Sequence, residues 1–315
     1  MDFKEELKKR TEEIEAILDR YLPKEGEEEI QRIIEAVNYS VKAGGKRLRP
    51  MLMLETYRLF GGTKDWIDPF LAAMELVHTY SLVHDDLPAM DNDDYRRGRK
   101  TTHVVYGHAM GILTGDALLN RAFEMLEYGY RMLKEREEEI GKEGFLMGLE
   151  RMVQAQGVLA KKAGIYGMLG GQVIDILATE EKRALNREQL ICLYQKKTGA
   201  LIEAAMMIGA LLAGASKEEM LSVEQIAGKV GVAFQIQDDI LDMTSTTEVL
   251  GKPVRSDEKN QKVTYVSLEG IVYSKKQVEQ LSKEAIQLFE ELEKRQNREN
   301  VFLRELLLWL IYREK

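Results

Sequence analysis

Cysteine is nearly absent from this chain. Its 315 residues contain one, Cys192, which excludes an internal disulfide and suits a reducing cytoplasm. No Ser-His-Asp set or thiol partner accompanies it, so Cys192 is expected to be a small buried apolar residue. Proline is scarce too. Pro23, Pro50, Pro69, Pro88 and Pro253 are all there are, with none between 88 and 253. That interval is rich in Ala, Leu, Met, Glu and Lys, which favours one helix after another. Period-two alternation of β-branched residues is scarcely found, leaving little case for a sheet. Long hydrophobic runs are missing as well. The longest small-apolar stretch, 204–215, follows Glu203 and is too short to span a bilayer, so a buried helix is expected there. The first residues, MDFKEELKKRTEEIEAIL, hold no apolar core, which argues against a secretory signal. Gly/Ser linkers, low-complexity tracts and internal repeats are also lacking.

What is present points to one all-α domain over 1–315. Leu7, Ile14, Leu18 and Leu22 make a helical stripe near the start. Leu71, Met74, Leu76, Val77 and Leu82 supply apolar positions before an aspartate cluster. Leu281, Ala285, Leu288 and Leu292, then Leu303, Leu306, Leu307 and Ile311, pattern the end. Charged runs at 27–29 and 134–139 suit solvated faces or loops. The pairs Gly44-Gly45 and Gly170-Gly171 look like breaks between helices. Lysine and arginine number 45 against 53 aspartates and glutamates, a net charge of -8. That balance argues against nucleic acid as a partner, while leaving room for a local anion site.

Two acidic clusters stand out: VHDDLPAMDNDD over 83–94 and FQIQDDILD over 234–242. Each follows an apolar, helical run. Asp238 and Asp242 are four apart and share a helix face, where like charges repel unless a cation intervenes. Ile240 and Leu241 beside them imply a largely buried neighbourhood, in which carboxylates must protonate or bind a cation. Asp85 and Asp91 are six apart and would not share a face of a continuous helix. Pro88 should kink or end that helix and let Asp91 fold back toward Asp85. If they face each other, the six carboxylates Asp85, Asp86, Asp91, Asp238, Asp239 and Asp242 make a strongly negative cavity. Oxygen-only ligands select a hard ion, magnesium rather than zinc. A single cluster would more simply be a solvated surface, but two with the same pattern favour a metal site. The spacing does not fit a calcium loop.

Cations flank the acids. Lys46, Arg47 and Arg49 follow the glycine pair, Arg96 and Arg97 follow the first cluster, and Lys197-Thr198 precede a glycine and an apolar helix. Lys252 and Lys262 follow the second cluster. Groups of this kind suit the phosphate oxygens that metal ions leave exposed.

The ordered motifs GGKRLRP (44–50), ELVHTYSLVHDDLPAMDNDDYRRG (75–98), GDALL (115–119), GMLGGQVIDI (167–176), KKTGALIEAA (196–205), FQIQDDILD (234–242), GK (251–252) and KVTY (262–265) identify a resemblance. From about residue 25 onward the chain resembles the trans-isoprenyl diphosphate synthases, and within them the bacterial farnesyl diphosphate synthases. The resemblance implies the isoprenoid synthase fold, an orthogonal bundle of helices around a central cavity. It implies that Asp85, Asp86, Asp91, Asp238 and Asp239 help hold about three magnesium ions on an allylic diphosphate, with manganese a possible substitute. Arg96 or Arg97, Lys197 and Lys252 would contact the same diphosphate. Lys46, Arg49 and His78 would hold isopentenyl diphosphate, and Thr198 and Gln235 would line the reacting carbons. Asn92, Lys100 and Val263 depart from the usual pattern, at positions without one of these roles. The family also implies a homodimer.

The chemistry implied is ionisation, condensation and elimination, which needs no nucleophilic side chain. His84, beside Asp85, reads better as a helix-packing residue than as support for a metal ligand. Tyr80 lies five residues before Asp85, about 7–8 Å along a helix. With Ser81 beside it, Tyr80 is the candidate floor of the product pocket, and the family links an aromatic there to farnesyl length. The alternatives are a geranylgeranyl synthase, a class I terpene cyclase, and a silent partner subunit. DDILD argues against the cyclase, and survival of both aspartate motifs argues against the silent subunit.

Overall fold

The structure, a computed structural model, describes residues 2–244 and 263–312. The candidate cations Lys252 and Lys262 lie outside the described residues. Two compact units emerge, one of residues 1–54 and 63–156, the other of 55–62 and 157–315. Both are helical. The only strands among the described residues are a two-residue ladder in the first unit.

The first unit contains α1 (Phe3–Tyr21), α2 (Gln31–Val41), most of α3 (Leu48–Leu59), α4 (Asp68–Asp85), α5 (Thr102–Tyr106), α6 (His108–Glu135) and most of α7 (Glu137–Ala163). Asp2 caps α1 by accepting from the amides of Lys4 and Glu5, which satisfies donors that the first turn leaves open. The stripe holds there, with Ile14, Leu18 and Leu22 buried. Helix α4 is the axis of this unit. It is apolar almost all round and buried over most of its length, as expected of a helix with neighbours on every side. Its main neighbour is α6. Gly115 on α6 admits the His84 ring, because a Cβ there would sit 2.0 Å from His84 Nε2. His84 Nε2 lies 3.0 Å from the Ile112 carbonyl oxygen. The packing reading of His84 therefore holds.

The second unit contains α8 (Met168–Glu180), α9 (Arg187–Tyr194), a π-helical turn (Gln195–Gly199), α10 (Ala200–Ala213), α11 (Lys217–Thr244), α12 (Tyr265–Glu269), α13 (Ile271–Gln296) and α14 (Val301–Tyr312). The apolar stretch after Glu203 is the buried α10, as its composition implies. On α13 the inward face falls on Val278, Ala285, Phe289 and Leu292, while Leu281 and Leu288 are half-buried. No described helix is long and apolar enough to cross a membrane.

One expectation needs correction. Gly44-Gly45 does separate two helices, but Gly170-Gly171 lies inside the first turns of α8. Their purpose is close approach rather than interruption. A Cβ on Gly171 would lie 2.2 Å from the Lys197 amide nitrogen, and one on Gly231 would lie 2.7 Å from Gly199 Cα. Helices α8 and α11 thus meet the π turn backbone against backbone.

Gly171→Ala should therefore lower stability by at least ~2 kcal/mol, because the obstruction is backbone and cannot step aside. Gly157 has open space around its missing Cβ, so Gly157→Ala in the same helical context should be neutral or stabilising by up to about 1 kcal/mol. Denaturant unfolding of both variants checks the pair.

Candidate functional site

The first acidic cluster is shaped by where α4 stops. The helix ends at Asp85, three residues before Pro88, and the chain turns back on itself. The Asp91 amide donates to the Asp85 carbonyl at 2.9 Å, and the Asp93 amide to that of Asp86 at 3.2 Å. The fold-back anticipated from Pro88 is present, brought about by backbone bonds between the two ends of the turn. Asp85 is half-buried, Asp91 exposed and Asp86 buried. Burial pushes the Asp86 carboxyl up, and its hydrogen bond from Arg96 opposes that shift. Arg96 Nε and Nη2 reach Asp86 Oδ1 at 2.6 and 2.5 Å.

After the turn, a hairpin pairs β1 (Tyr95–Arg96) with β2 (Arg99–Lys100). Arg97 and Gly98 at its tip both have positive φ, at 53° and 74°, the backbone of a type I′ turn. That turn sends Arg97 to the glycine loop, where its Nη1 donates to the Gly44 carbonyl. A Cβ on Gly45 would collide with the Arg97 guanidinium.

The loop Gly44-Gly45-Lys46-Arg47-Leu48-Arg49-Pro50 divides its cations. Lys46 is exposed and Arg49 half-buried. Arg47 is turned fully inward. Its Nε meets Glu15 Oε1 at 2.6 Å, Nη1 meets Glu75 Oε1 at 2.6 Å, and Nη2 donates to the Val41 carbonyl at 2.7 Å. Burial opposes its charge, and Glu75 and Glu15 outweigh burial to hold the guanidinium above its ordinary value. Of the three cations of this motif, Arg47 is therefore structural. Half-buried His78, one turn beyond Glu75, brings Nε2 to 3.3 Å from Arg49 Nη1. Burial, followed by Arg49, Arg97, Arg47 and Arg96, keeps His78 well below the usual imidazole range, so it is neutral near pH 7. Tyr80 is 8% exposed, with its ring edge-on to His84 at 5.9 Å. Burial and then Asp85 push its phenol up. The Ser81 hydroxyl donates to the His78 carbonyl at 2.9 Å.

In the second unit, a cavity of about 320 Å³ is lined by Lys197, Thr198, Gln235, Asp239, Asp175 and Val263, among others. Val263, one of the departures from the family pattern, forms part of this wall. Lys197 Nζ meets Asp175 Oδ2 at 2.5 Å, and the Thr198 hydroxyl donates to Gln235 Oε1 at 2.8 Å. The lysine and threonine ride on the π turn, a helical irregularity often found at functional positions. Asp239 is buried, and its Oδ2 accepts from the Tyr194 hydroxyl at 2.5 Å and the Tyr265 amide at 2.7 Å. Asp242 is 5% exposed, and its Oδ2 has no hydrogen-bond partner among the described residues. A buried carboxylate oxygen left in that state must protonate or meet a cation. Cys192 is half-buried rather than buried.

Among the described residues, no three His, Cys, Asp or Glu side chains are gathered as a ready-made metal cage. Magnesium keeps several waters and binds through one or two carboxylates plus substrate phosphates. The oxygen-only donor set and the orphaned oxygen of Asp242 both fit it. Glu75, Tyr194 and Asp175 escaped the sequence reading as individual residues. Only Glu75 carried a signal, a lone carboxylate inside the apolar run of α4, where an unpaired charge is costly.

Known proteins resemble this chain in sequence and in fold. The polyprenyl synthetase family model matches residues 30–302. A geranylgeranyl diphosphate synthase from Cyanophora paradoxa is 42% identical over 279 residues, 89% of this chain and 87% of the relative. A farnesyl diphosphate synthase from Geobacillus stearothermophilus is 39% identical over 273 residues, 86% of each chain. An FPP/GFPP synthase from Zymomonas mobilis, solved in its apo form, aligns with a TM-score of 0.80 at 31% identity, covering 98% of this chain and 99% of that one. A geranyltransferase from Helicobacter pylori, complexed with magnesium and isoprenyl diphosphate, aligns at 0.79 and 29% identity, covering 99% and 97%. By family match, by identity over most of its length and by fold, the chain belongs to the polyprenyl synthetase family, the trans-prenyl diphosphate synthases.

Proposed function

We propose that this protein condenses dimethylallyl and geranyl diphosphates with isopentenyl diphosphate and stops at farnesyl diphosphate. The observation that carries the reading is the chain reversal after Asp85. It ties Asp91 to Asp85 and sets the Arg96–Arg97 hairpin beside them, which is a place for a metal-bound diphosphate. Asp85, Asp86, Asp91, Asp238, Asp239 and Asp242 are the proposed ligands of about three magnesium ions, for which manganese would substitute. When bound, magnesium supplies Lewis-acid stabilisation of the charge on the leaving diphosphate.

The chain's own groups do the rest. Lys197 and Arg97, with Arg96 alongside, neutralise the same diphosphate, and Lys252 and Lys262 join them in this reading. Fixed cations in a partly dry site stabilise developing charge without reorganising. Thr198 and Gln235, hydrogen-bonded to each other, flank the reacting carbons. Lys46, Arg49 and neutral His78 hold the isopentenyl diphosphate. Residues 1–315 work as one catalytic domain in this reading. We place it in the cytoplasm as a homodimer, with no nucleic-acid or membrane-spanning role. An exposed stripe of Leu169, Val173 and Leu177 along α8 supports a self-association surface.

Product length rests on Tyr80, buried below Asp85, with Ser81 beside it. The second reading is a geranylgeranyl synthase, which the 42%-identical relative favours. Mass spectrometry of products from dimethylallyl, geranyl and farnesyl diphosphates separates the two. Farnesyl diphosphate should accumulate, and farnesyl diphosphate offered as primer should not be extended. Tyr80→Ala should lengthen the product. Products of unchanged length would remove Tyr80 from the role. Asp85→Asn and Asp238→Asn should each lower kcat by roughly 10²–10³-fold, the scale of losing one preorganised electrostatic group. Chelation should abolish turnover and added magnesium restore it. No turnover with any allylic primer would point to a silent subunit.

A further inference from the structure

Arg47 occupies an uncommon backbone position. Its φ of 48° is left-handed, which is unfavourable for a side chain with a Cβ. Its carbonyl accepts from the Met51 amide at 3.1 Å, so it stands at the start of α3. Lys46 precedes it and Arg49 is two residues beyond. The torsions of Arg47 therefore set how Lys46 leaves the helix that carries Arg49. Three bonds hold those torsions, two of them to carboxylates. Glu15 is 40% exposed in its side chain, whereas Glu75 is 2% exposed and Arg47 fully covered. Glu75 is thus the inner and drier half of the clamp.

Stability alone does not call for this arrangement. A buried ion pair is a poor stabiliser compared with apolar side chains of equal volume. This one is also incomplete, because Glu75 Oε2 is buried with no hydrogen-bond partner among the described residues. Glu75 also acts electrostatically on Arg97, which closes the loop from the hairpin side through Gly44. On the same face of α4, His78 meets Arg49. One helix turn thus presents an anion to the structural arginine and a neutral ring to the outward one.

We propose that Glu75 is a positioning residue for isopentenyl diphosphate, acting through Arg47 to fix Lys46 and Arg49 at the spacing that grips the diphosphate. This rests on reading Lys46, Arg49 and His78 as the contacts of that substrate. The role is distinct from catalysis: Glu75 touches neither substrate, and its loss loosens one substrate's grip without altering ionisation of the other.

The test is steady-state kinetics of the full-length enzyme with each substrate varied in turn. Glu75→Gln keeps the shape and removes the charge. The KM for isopentenyl diphosphate should rise about tenfold, the usual scale for losing a group that orients a ligand. The KM for geranyl diphosphate and kcat should stay within about twofold. Glu75→Asp should recover part of the loss. If Glu75→Gln fails to fold, the volume-matched double variant Arg47→Met with Glu75→Leu removes both buried charges and should still show the raised KM for isopentenyl diphosphate. An unchanged KM in either folded variant overturns the proposal, as does an equal rise in both KM values. Lys46→Ala distinguishes the two layers. If it too leaves the KM for isopentenyl diphosphate unmoved, the reading of the loop as that substrate's site has failed. If it raises that KM while the Glu75 variants do not, only the positioning role is lost.

Discussion

The guanidinium of Arg47, sealed inside the first unit, constrains much of what surrounds it. A charge that has lost its water must be met by partners of opposite sign with good geometry. Here the partners come from three elements: Glu15 on α1, Glu75 on α4 and the carbonyl of Val41 at the end of α2. Those elements must converge at one point before the glycine loop can close. Removing one partner of such a pair typically costs 3–5 kcal/mol, so the convergence is strongly specified. The left-handed turn at Arg47, the start of α3 and the outward course of Lys46 follow from it.

The second unit uses the same economy with the sign reversed. Asp239 is a buried carboxylate met by Tyr194 from α9 and the Tyr265 amide at the start of α12. Its neighbour in the motif, Asp242, is equally buried, yet one oxygen finds no protein partner among the described residues. Two acids three residues apart thus differ: one carboxylate is engaged by hydroxyl and amide donors of the fold, and the other keeps an oxygen that they do not reach. Gly171 and Gly231 let α8 and α11 close on the π turn, which fixes Lys197 against Asp175 and Thr198 against Gln235. The ion pair to Asp175 and the hydrogen bond to Gln235 hold Lys197 and Thr198 in fixed positions, so a group placed this way needs little further ordering to meet a ligand.

Helix ends do most of the work of placement. Asp85 and Asp91 come together because α4 stops and the chain returns on its own carbonyls. Arg97 reaches the glycine loop because a two-residue turn reverses the chain after Arg96. In both places irregular backbone carries the polar groups while buried helices supply the rigidity, the usual division between loops and scaffold.

Much was legible in the sequence, because much of it is set locally. Helix after helix follows from composition and proline spacing, the buried α10 from an uninterrupted small-apolar run, and the return of Asp91 from Pro88 and a six-residue separation. The family follows from motif order. What tertiary structure decided is which of several chemically equal groups turns inward. Nothing local distinguishes Arg47 from Lys46 or Arg49, or Asp239 from Asp238. The choice depends on carboxylates and hydroxyls 28 to 45 residues away. Likewise Gly170-Gly171 read locally as a break, when the reason for glycine at 171 was the Lys197 backbone beside it. Local pattern fixes what a segment can form. Desolvation of a charge, and contact between distant backbones, are settled only when the chain has closed around them.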